Sequence, residues 1–205
     1  MARYTGPKNR IARRFGVNIF CRARNPLLHK ANPPGMHGAK RKKKSDFGMQ
    51  LDEQQKLRAV YGMLGRRQLV KYYQSAASTK KATHQAFIEK LECRLDNVVY
   101  RLKFAPTIFA AQQLVSHGHV LVNGKKVDRR GFQVEPGMVV SIKPKSHNIA
   151  IIKQAMDTAR DIPEYLSQDA AKFSGQLMIL PALDQVPLSL PINVPLICEF
   201  LAHSS

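Results

Sequence analysis

Acidic residues are scarce in this sequence: 14 Asp and Glu stand against 33 Lys and Arg, a formal net charge of +19. That surplus exceeds what solubility requires and points to a polyanionic partner. Cysteine is scarcer still. Cys21, Cys93 and Cys198 are far apart and odd in number, which argues against a disulfide framework and fits a reducing compartment. Structural zinc needs four or so Cys or His ligands in tight spacing. Cys21 has only the distant His29 and His37, so no metal is expected. No apolar run is long enough to span a bilayer, and Met1-Ala2-Arg3-Tyr4-Thr5-Gly6-Pro7 lacks the apolar core of a signal peptide. Nor is there an amphipathic helix or lipid anchor of the kind that basic membrane-surface proteins use. A cytoplasmic protein without a membrane partner is the expectation, and no internal repeat or low-complexity tract complicates it.

What charge there is lies unevenly. Residues 1–50 carry 13 basic and 1 acidic side chain, 51–93 carry 8 and 4, 94–150 carry 9 and 3, and 151–205 carry 3 and 6. The binding surface is therefore expected in the first three quarters. With 205 residues, 44% of them hydrophobic, the chain can bury one or two modest cores, which favours two domains.

The first fifty residues are rich in Arg, Lys, Gly, Pro and Asn and show little apolar periodicity, so they read as an extended arm ordered by phosphate neutralisation, or otherwise as a disordered linker. From Leu51 the pattern becomes helical: Leu57, Val60, Tyr61 and Leu64, then Leu69, Val70 and Tyr73 beyond Gly65, then Phe87, Ile88 and Leu91. Arg58, Arg66, Arg67 and Lys71 fall on the wetter faces of this small helical domain.

A second unit begins near Arg94. Leu95, Val98, Val99 and Leu102 form a helical stripe with Arg94 and Arg101 outside it, and Thr107 caps a helix running from Ile108 to a stop near Gly118. Residues 119–122 and 125–127 flank Asn123-Gly124, a hairpin signal because both residues tolerate positive φ, and Met138–Ile142 reads as a buried strand after Pro136-Gly137. Beyond Ile149 a short helix gives way to apolar runs such as Leu177–Leu180 and Leu196–Leu201, separated by Pro181, Pro187, Pro191 and Pro195. These runs add edge strands to the helical domain or meet another protein; sequence does not choose. The predicted class is α+β: a basic extended arm (1–50), a helical domain (51–93, completed by 150–205), and an inserted domain of two helices and a small twisted sheet (94–149).

The stretch Arg94-Leu95-Asp96-Asn97-Val98-Val99-Tyr100-Arg101-Leu102, followed by Gln113-Leu114-Val115-Ser116-His117-Gly118-His119 and Val122-Asn123-Gly124-Lys125, resembles the RNA-binding domain named after ribosomal protein S four. Several RNA-acting families share that domain, among them pseudouridine synthases and binders of stalled large subunits. Met1-Ala2-Arg3-Tyr4-Thr5-Gly6-Pro7-Lys8, Pro34-Gly35-Met36-His37-Gly38-Ala39, Ser45-Asp46-Phe47-Gly48-Met49-Gln50-Leu51 and Gln55-Lys56-Leu57-Arg58 are similar to the bacterial small-subunit ribosomal S-four family itself. Residues 175–205 match only loosely. Some members of the family carry a four-cysteine zinc site near the amino terminus, of which this chain retains only Cys21.

That resemblance implies a structural constituent of the small ribosomal subunit, not an enzyme. It implies a primary binder of small-subunit rRNA at a junction in the 5′ domain, which begins subunit assembly and influences decoding accuracy where messenger RNA enters. Ribosomal proteins S five and S three or S twelve would lie nearby, with the chain a monomer within the ribosome. Folded RNA is held mainly through phosphate and 2′-hydroxyl contacts, for which arginine's planar fork is well suited. The expected rRNA contacts are therefore Arg3, Lys8, Arg10, Arg13, Arg14, Lys40, Arg41, Lys42, Lys43 and Lys44 in the arm and Arg58, Arg66, Arg67 and Lys71 in the helical domain. In the second domain they are Arg94, Arg101, Lys125, Lys126, Arg129 and Arg130, lining one face beside the Asn123-Gly124 turn. Tyr4, His37 and Tyr61 are candidates for stacking or ribose contact, though an aromatic on a helix serves a core equally well. His117 joins the site, where a helix terminator would also account for it. No catalytic set is present: Asp52-Glu53 reads as helix-start charge, Ser116-His117 lacks a third partner, and no phosphate-binding glycine loop occurs. No cofactor is expected.

Overall fold

The basic arm folds where its composition predicts extended chain. A computed structural model describes residues 4–20, 24–40 and 43–203, and in it α1 (Lys8–Phe15) forms between Pro7, whose fixed φ starts the helix, and Gly16, whose φ of 70° closes it. Ile11, Ala12 and Phe15 share one side of α1, with Ala12 buried, and Arg13 and Arg14 sit in the last turn, where cations complement the helix dipole. A second short helix, α2 (Pro26–His29), is capped by the Asn25 side chain. Three residues supply the apolar anchorage that the composition conceals: Ala12, Ile19 and Phe20 are all buried.

Helix α3 (Asp46–Val60) starts earlier than the apolar spacing predicts, because Ser45 Oγ accepts from the Gly48 amide at 3.3 Å and caps a first turn that has little periodicity of its own. Asp52 and Glu53 consequently lie in mid-helix, a correction to their reading as helix-start charge. Glu53 Oε2 instead accepts from the Asn193 amide at 2.9 Å, at the start of α9 (Val194–Ala202), which packs on α3. Phe47 and Phe200 meet there with ring centroids 5.5 Å apart. Leu196–Leu201, an edge-strand candidate in the sequence, is thus helical: Asn193 caps it, and Val194, Ile197, Phe200 and Leu201 form its buried face. With α4 (Arg66–Ala77), whose last turn opens the other unit, these elements complete the unit Met1–Gln74 with Leu188–Ser205.

The unit Ser75–Pro187 contains α5 (Thr83–Glu92), α6 (Leu95–Arg101) and α7 (Ile108–Ser116), with Thr107 capping α7 as its sequence predicts. Strands β1 (Val120–Val122), β2 (Lys125–Lys126), β3 (Val139–Ile142), β4 (Leu166–Asp169) and β5 (Ser174–Leu177) form one antiparallel sheet in the order β2-β1-β3-β5-β4. The stripe of α6 packs with Val120, Val122, Val140 and Ile142 in a single core. Helix α8 (Ala150–Met156) adds Ile152 to it. Residues 166–177, expected from sequence to complete the helical domain, join this sheet instead, β5 pairing with β3 and β4 with β5. Gly175 lets β5 lie close against the Leu102 side chain, since a Cβ there would lie 2.5 Å from a Leu102 methyl.

Two buried carboxylates tie the helices of this unit together. Glu92 accepts from Asn97 Nδ2 at 2.6 Å, from Arg101 Nη2 at 3.0 Å and from the Tyr165 hydroxyl at 2.9 Å. Asp96 accepts from Arg94 through both oxygens, at 3.0 and 2.6 Å, and from Gln112 Nε2 at 3.3 Å. No described helix is long and apolar enough to cross a membrane.

Candidate nucleic-acid interface

The second unit brings its hairpin against the end of α7. Asn123 (φ 48°) and Gly124 (φ 77°) form the tight turn, and Asn123 Oδ1 accepts from the Val139 amide at 2.8 Å, fixing the turn to β3. The Lys126 side chain lies over Gly118, and Arg130 Nη1 donates to Gln112 of α7 at 3.4 Å. His117, Asn123, Gly124, Lys125, Lys126 and Arg129 are all exposed, while Arg130 is half-buried. Among the described residues Lys125, Lys126 and Arg129 make no ion pair, even though the exposed Asp128 lies among them in sequence. Cations left without carboxylates beside an open turn can neutralise phosphates, and the backbone of a tight turn allows close approach.

Arg94 and Arg101 are corrections to this set. The Arg94 side chain is 3% exposed and forms a bidentate pair with Asp96, and Arg101 at 10% is held by Glu92 and by the Pro187 carbonyl at 2.9 Å. Both lie outside the apolar stripe of α6, as predicted, but neighbouring chain covers them: the Asp96 amide bonds the Arg130 carbonyl, and Arg94 bridges to Gln133. They orient the scaffold below the hairpin. Tyr61 is also corrected, being 1% exposed and part of the core of its unit.

In the first unit the arm's cations divide by task. Arg13 donates to the carbonyls of Lys30 and Asn32 at 2.8–3.1 Å, and so ties the loop after α2 back to α1. Arg14 reaches Asp52 Oδ1 at 2.5 Å and Gln55 at 2.9 Å, and Lys44 pairs with Asp52 Oδ2. Burial alone would raise the Asp52 pKa; hydrogen bonds from Lys44 and Arg14 outweigh it and hold the carboxyl below its ordinary value. Arg14 and Lys44 thus dock the arm on α3, while Arg13 braces the arm against itself. Arg10, His37, Lys40, Lys43, Arg66, Arg67 and Lys71 remain exposed, and Tyr4 and Lys8 are half-buried. Arg3, Arg41 and Lys42, and the single amino-terminal Cys21, lie outside the described residues.

Arg58 is half-buried on α3. Its Nε donates to the Leu64 carbonyl at 2.6 Å, and burial and the nearby Arg66 lower its pKa. Beside it is a concavity of about 210 Å³ lined by Tyr4, Arg10, Ile11, Phe15 and Met63. The sequence reading names Tyr4, Arg10 and Arg58 but misses the apolar walls; Ile11 and Phe15, four residues apart, are the signal available for them. Among the described residues no group of three or more His, Cys, Asp or Glu is placed to hold a metal.

Two family models match the chain. The family model described as "Ribosomal protein S4/S9 N-terminal domain" matches residues 3–92, and that described as "S4 domain" matches residues 93–140. Among curated proteins, "Small ribosomal subunit protein uS4" of Protochlamydia amoebophila (strain UWE25) is 66% identical over 100% of both chains. The protein of the same name from Chlamydia trachomatis serovar D is 62% identical over 99% of both, and that of Chlamydia pneumoniae is 55% identical over 99% of both. These alignments include the last thirty residues, where the resemblance in sequence is loosest to the eye.

Proposed function

Because this chain belongs to the uS4 family of small-subunit ribosomal proteins and carries that family's RNA-binding domain, we propose that it is a primary binder of the 5′-domain junction of small-subunit rRNA and begins assembly of the subunit there. The observation that carries this reading is the face at the end of α7, where Lys125, Lys126 and Arg129 stand exposed around the Asn123-Gly124 turn and, among the described residues, without ion pairs. A second basic surface comes from Arg10, Lys40 and Lys43 of the arm and from Arg66, Arg67 and Lys71 of α4. Arg3, Arg41 and Lys42 belong with it by sequence. The arm is ordered by its own contacts to α3, so RNA meets a partly preformed surface and less ordering entropy opposes binding.

In this role the chain is a structural constituent of the subunit rather than an enzyme, works in the cytoplasm as one copy per ribosome, and needs no cofactor. Its neighbours would be ribosomal proteins S five and S three or S twelve. Its place beside the path by which messenger RNA enters would connect it to decoding accuracy. Crosslinking the protein to RNA in cells and sequencing the attached fragments tests the assignment. Fragments concentrated in the 5′ domain of small-subunit rRNA support it; fragments dominated by transfer RNA or large-subunit rRNA overturn it.

A further inference from the structure

The concavity beside α1 has features that docking of the arm does not require. Its walls include Ile11, Phe15 and Met63, while Arg10 and Arg58 supply charge without a carboxylate: among the described residues neither makes an ion pair. Arg14, the third cation there, is already matched by Asp52. An apolar wall next to two unneutralised guanidinium groups suits a ligand that is flat and apolar at one end and anionic at the other.

Two backbone features hold this arrangement. Met63 has φ 60°, a conformation disfavoured for a residue with a side chain, and strain of this kind collects at binding sites. The turn that imposes it also clamps Arg58, whose carbonyl accepts from the Met63 amide at 2.6 Å while its Nε donates to Leu64. On the other side the Tyr4 ring lies directly over Gly6: a Cβ there would meet the Tyr4 hydroxyl oxygen at 2.5 Å and Cζ at 2.6 Å. Glycine thus lets the ring settle beside the cavity.

We propose that this concavity takes one unstacked nucleotide of the bound RNA, with its base against the Tyr4 ring and the apolar wall and its phosphate on Arg10 and Arg58. The volume, about 210 Å³, is below the roughly 300–1,000 Å³ typical of pockets for drug-sized ligands, which suits a single base. RNA-binding proteins read splayed-out bases by stacking them on aromatic rings or guanidinium planes. The proposal rests on the rRNA-binding reading above and adds to it the chemistry of one subsite.

The test uses the full chain with 13C-methyl methionine, the Met63 signal being assigned from Met63→Leu. On adding 5′-domain small-subunit rRNA, the Met63 methyl should take a ring-current shift that Tyr4→Phe retains. Tyr4→Ala and Arg10→Met should each weaken RNA binding, by about tenfold for the lost stack. A Met63 methyl unmoved by saturating RNA, or Tyr4→Ala binding as tightly as the unaltered chain, overturns the proposal. So does a shift produced by free nucleoside monophosphates but not by the RNA, which would assign the cavity to a free nucleotide. Failure of the full chain to bind the RNA at all would instead sink the rRNA-binding reading, and the two results are distinguishable.

Discussion

At the scale of single residues the buried ion pairs are costly to break. Arg94 and Asp96 are 3% and 1% exposed, and removing one partner leaves the other charge uncompensated in the core. Asp96→Asn or Arg94→Met should therefore cost about 3–5 kcal/mol, read as a lowered urea midpoint for the second unit. Arg94→Lys should recover little of the loss, because an ammonium cannot reproduce the bidentate pair. Chemical reactivity gives a second prediction. Burial, reinforced by Glu92, pushes the Cys93 thiol up to about 12, and burial and Glu199 push Cys198 up to about 11. The reactive thiolate is therefore depleted at neutral pH, so iodoacetamide should label both slowly in the folded protein and quickly in urea, as peptide mass spectrometry would show. Sequence could show that Arg94 and Arg101 lie off the apolar stripe of α6. It could not show that segments distant in sequence cover them, since periodicity reports a residue's angle on its own helix and not what packs there.

At the scale of elements, the hairpin and the arm each make a separable prediction. Alanine at Lys125, Lys126 or Arg129 should weaken rRNA binding evenly across sequences and lower the salt slope by about 1 per residue, with the fold intact by circular dichroism. The arm should depend on pH through Asp52. Its pKa is lowered in the folded chain, so the docking stabilisation is fully present above the ordinary carboxyl value of 3.8 and disappears as pH falls through the lower folded value. Asp52→Asn should loosen the arm at neutral pH, measured as faster proteolysis between α1 and α3, and should change little once the pH has fallen far enough to protonate the carboxyl of the unaltered chain. Because Arg14 and Lys44 are largely exposed, added salt should shrink the effect. Local chemistry made α6, α7 and the Asn123-Gly124 hairpin legible in advance: a stripe, a threonine cap, and two residues suited to positive φ. Strands β4 and β5 were not legible. Leu-Ser-Gln-Asp and Ser-Gly-Gln-Leu have little strand character and are strands because β3 offers an edge to β5, and β5 in turn offers one to β4. The helix α1 was hidden likewise, its few apolar residues outnumbered by arginines.

At the scale of the whole molecule, a net charge of +19 concentrated before residue 150 was enough to name the class of partner, and the family resemblance narrowed it. Which cations are left open required the structure, because Arg13, Arg14, Lys44, Arg94 and Arg101 all hold the protein's own groups, while Lys125, Lys126 and Arg129 make no ion pair among the described residues. The central claim is that these open cations grip rRNA phosphates and release counterions as they do so. Titrating the full chain against 5′-domain small-subunit rRNA between about 50 and 400 mM salt tests it most directly. The account predicts a logarithm of affinity that falls steeply and linearly with the logarithm of salt concentration, and less steeply when Lys125, Lys126 and Arg129 are replaced together. An affinity unchanged across that range, or a slope indifferent to the triple replacement, would contradict it.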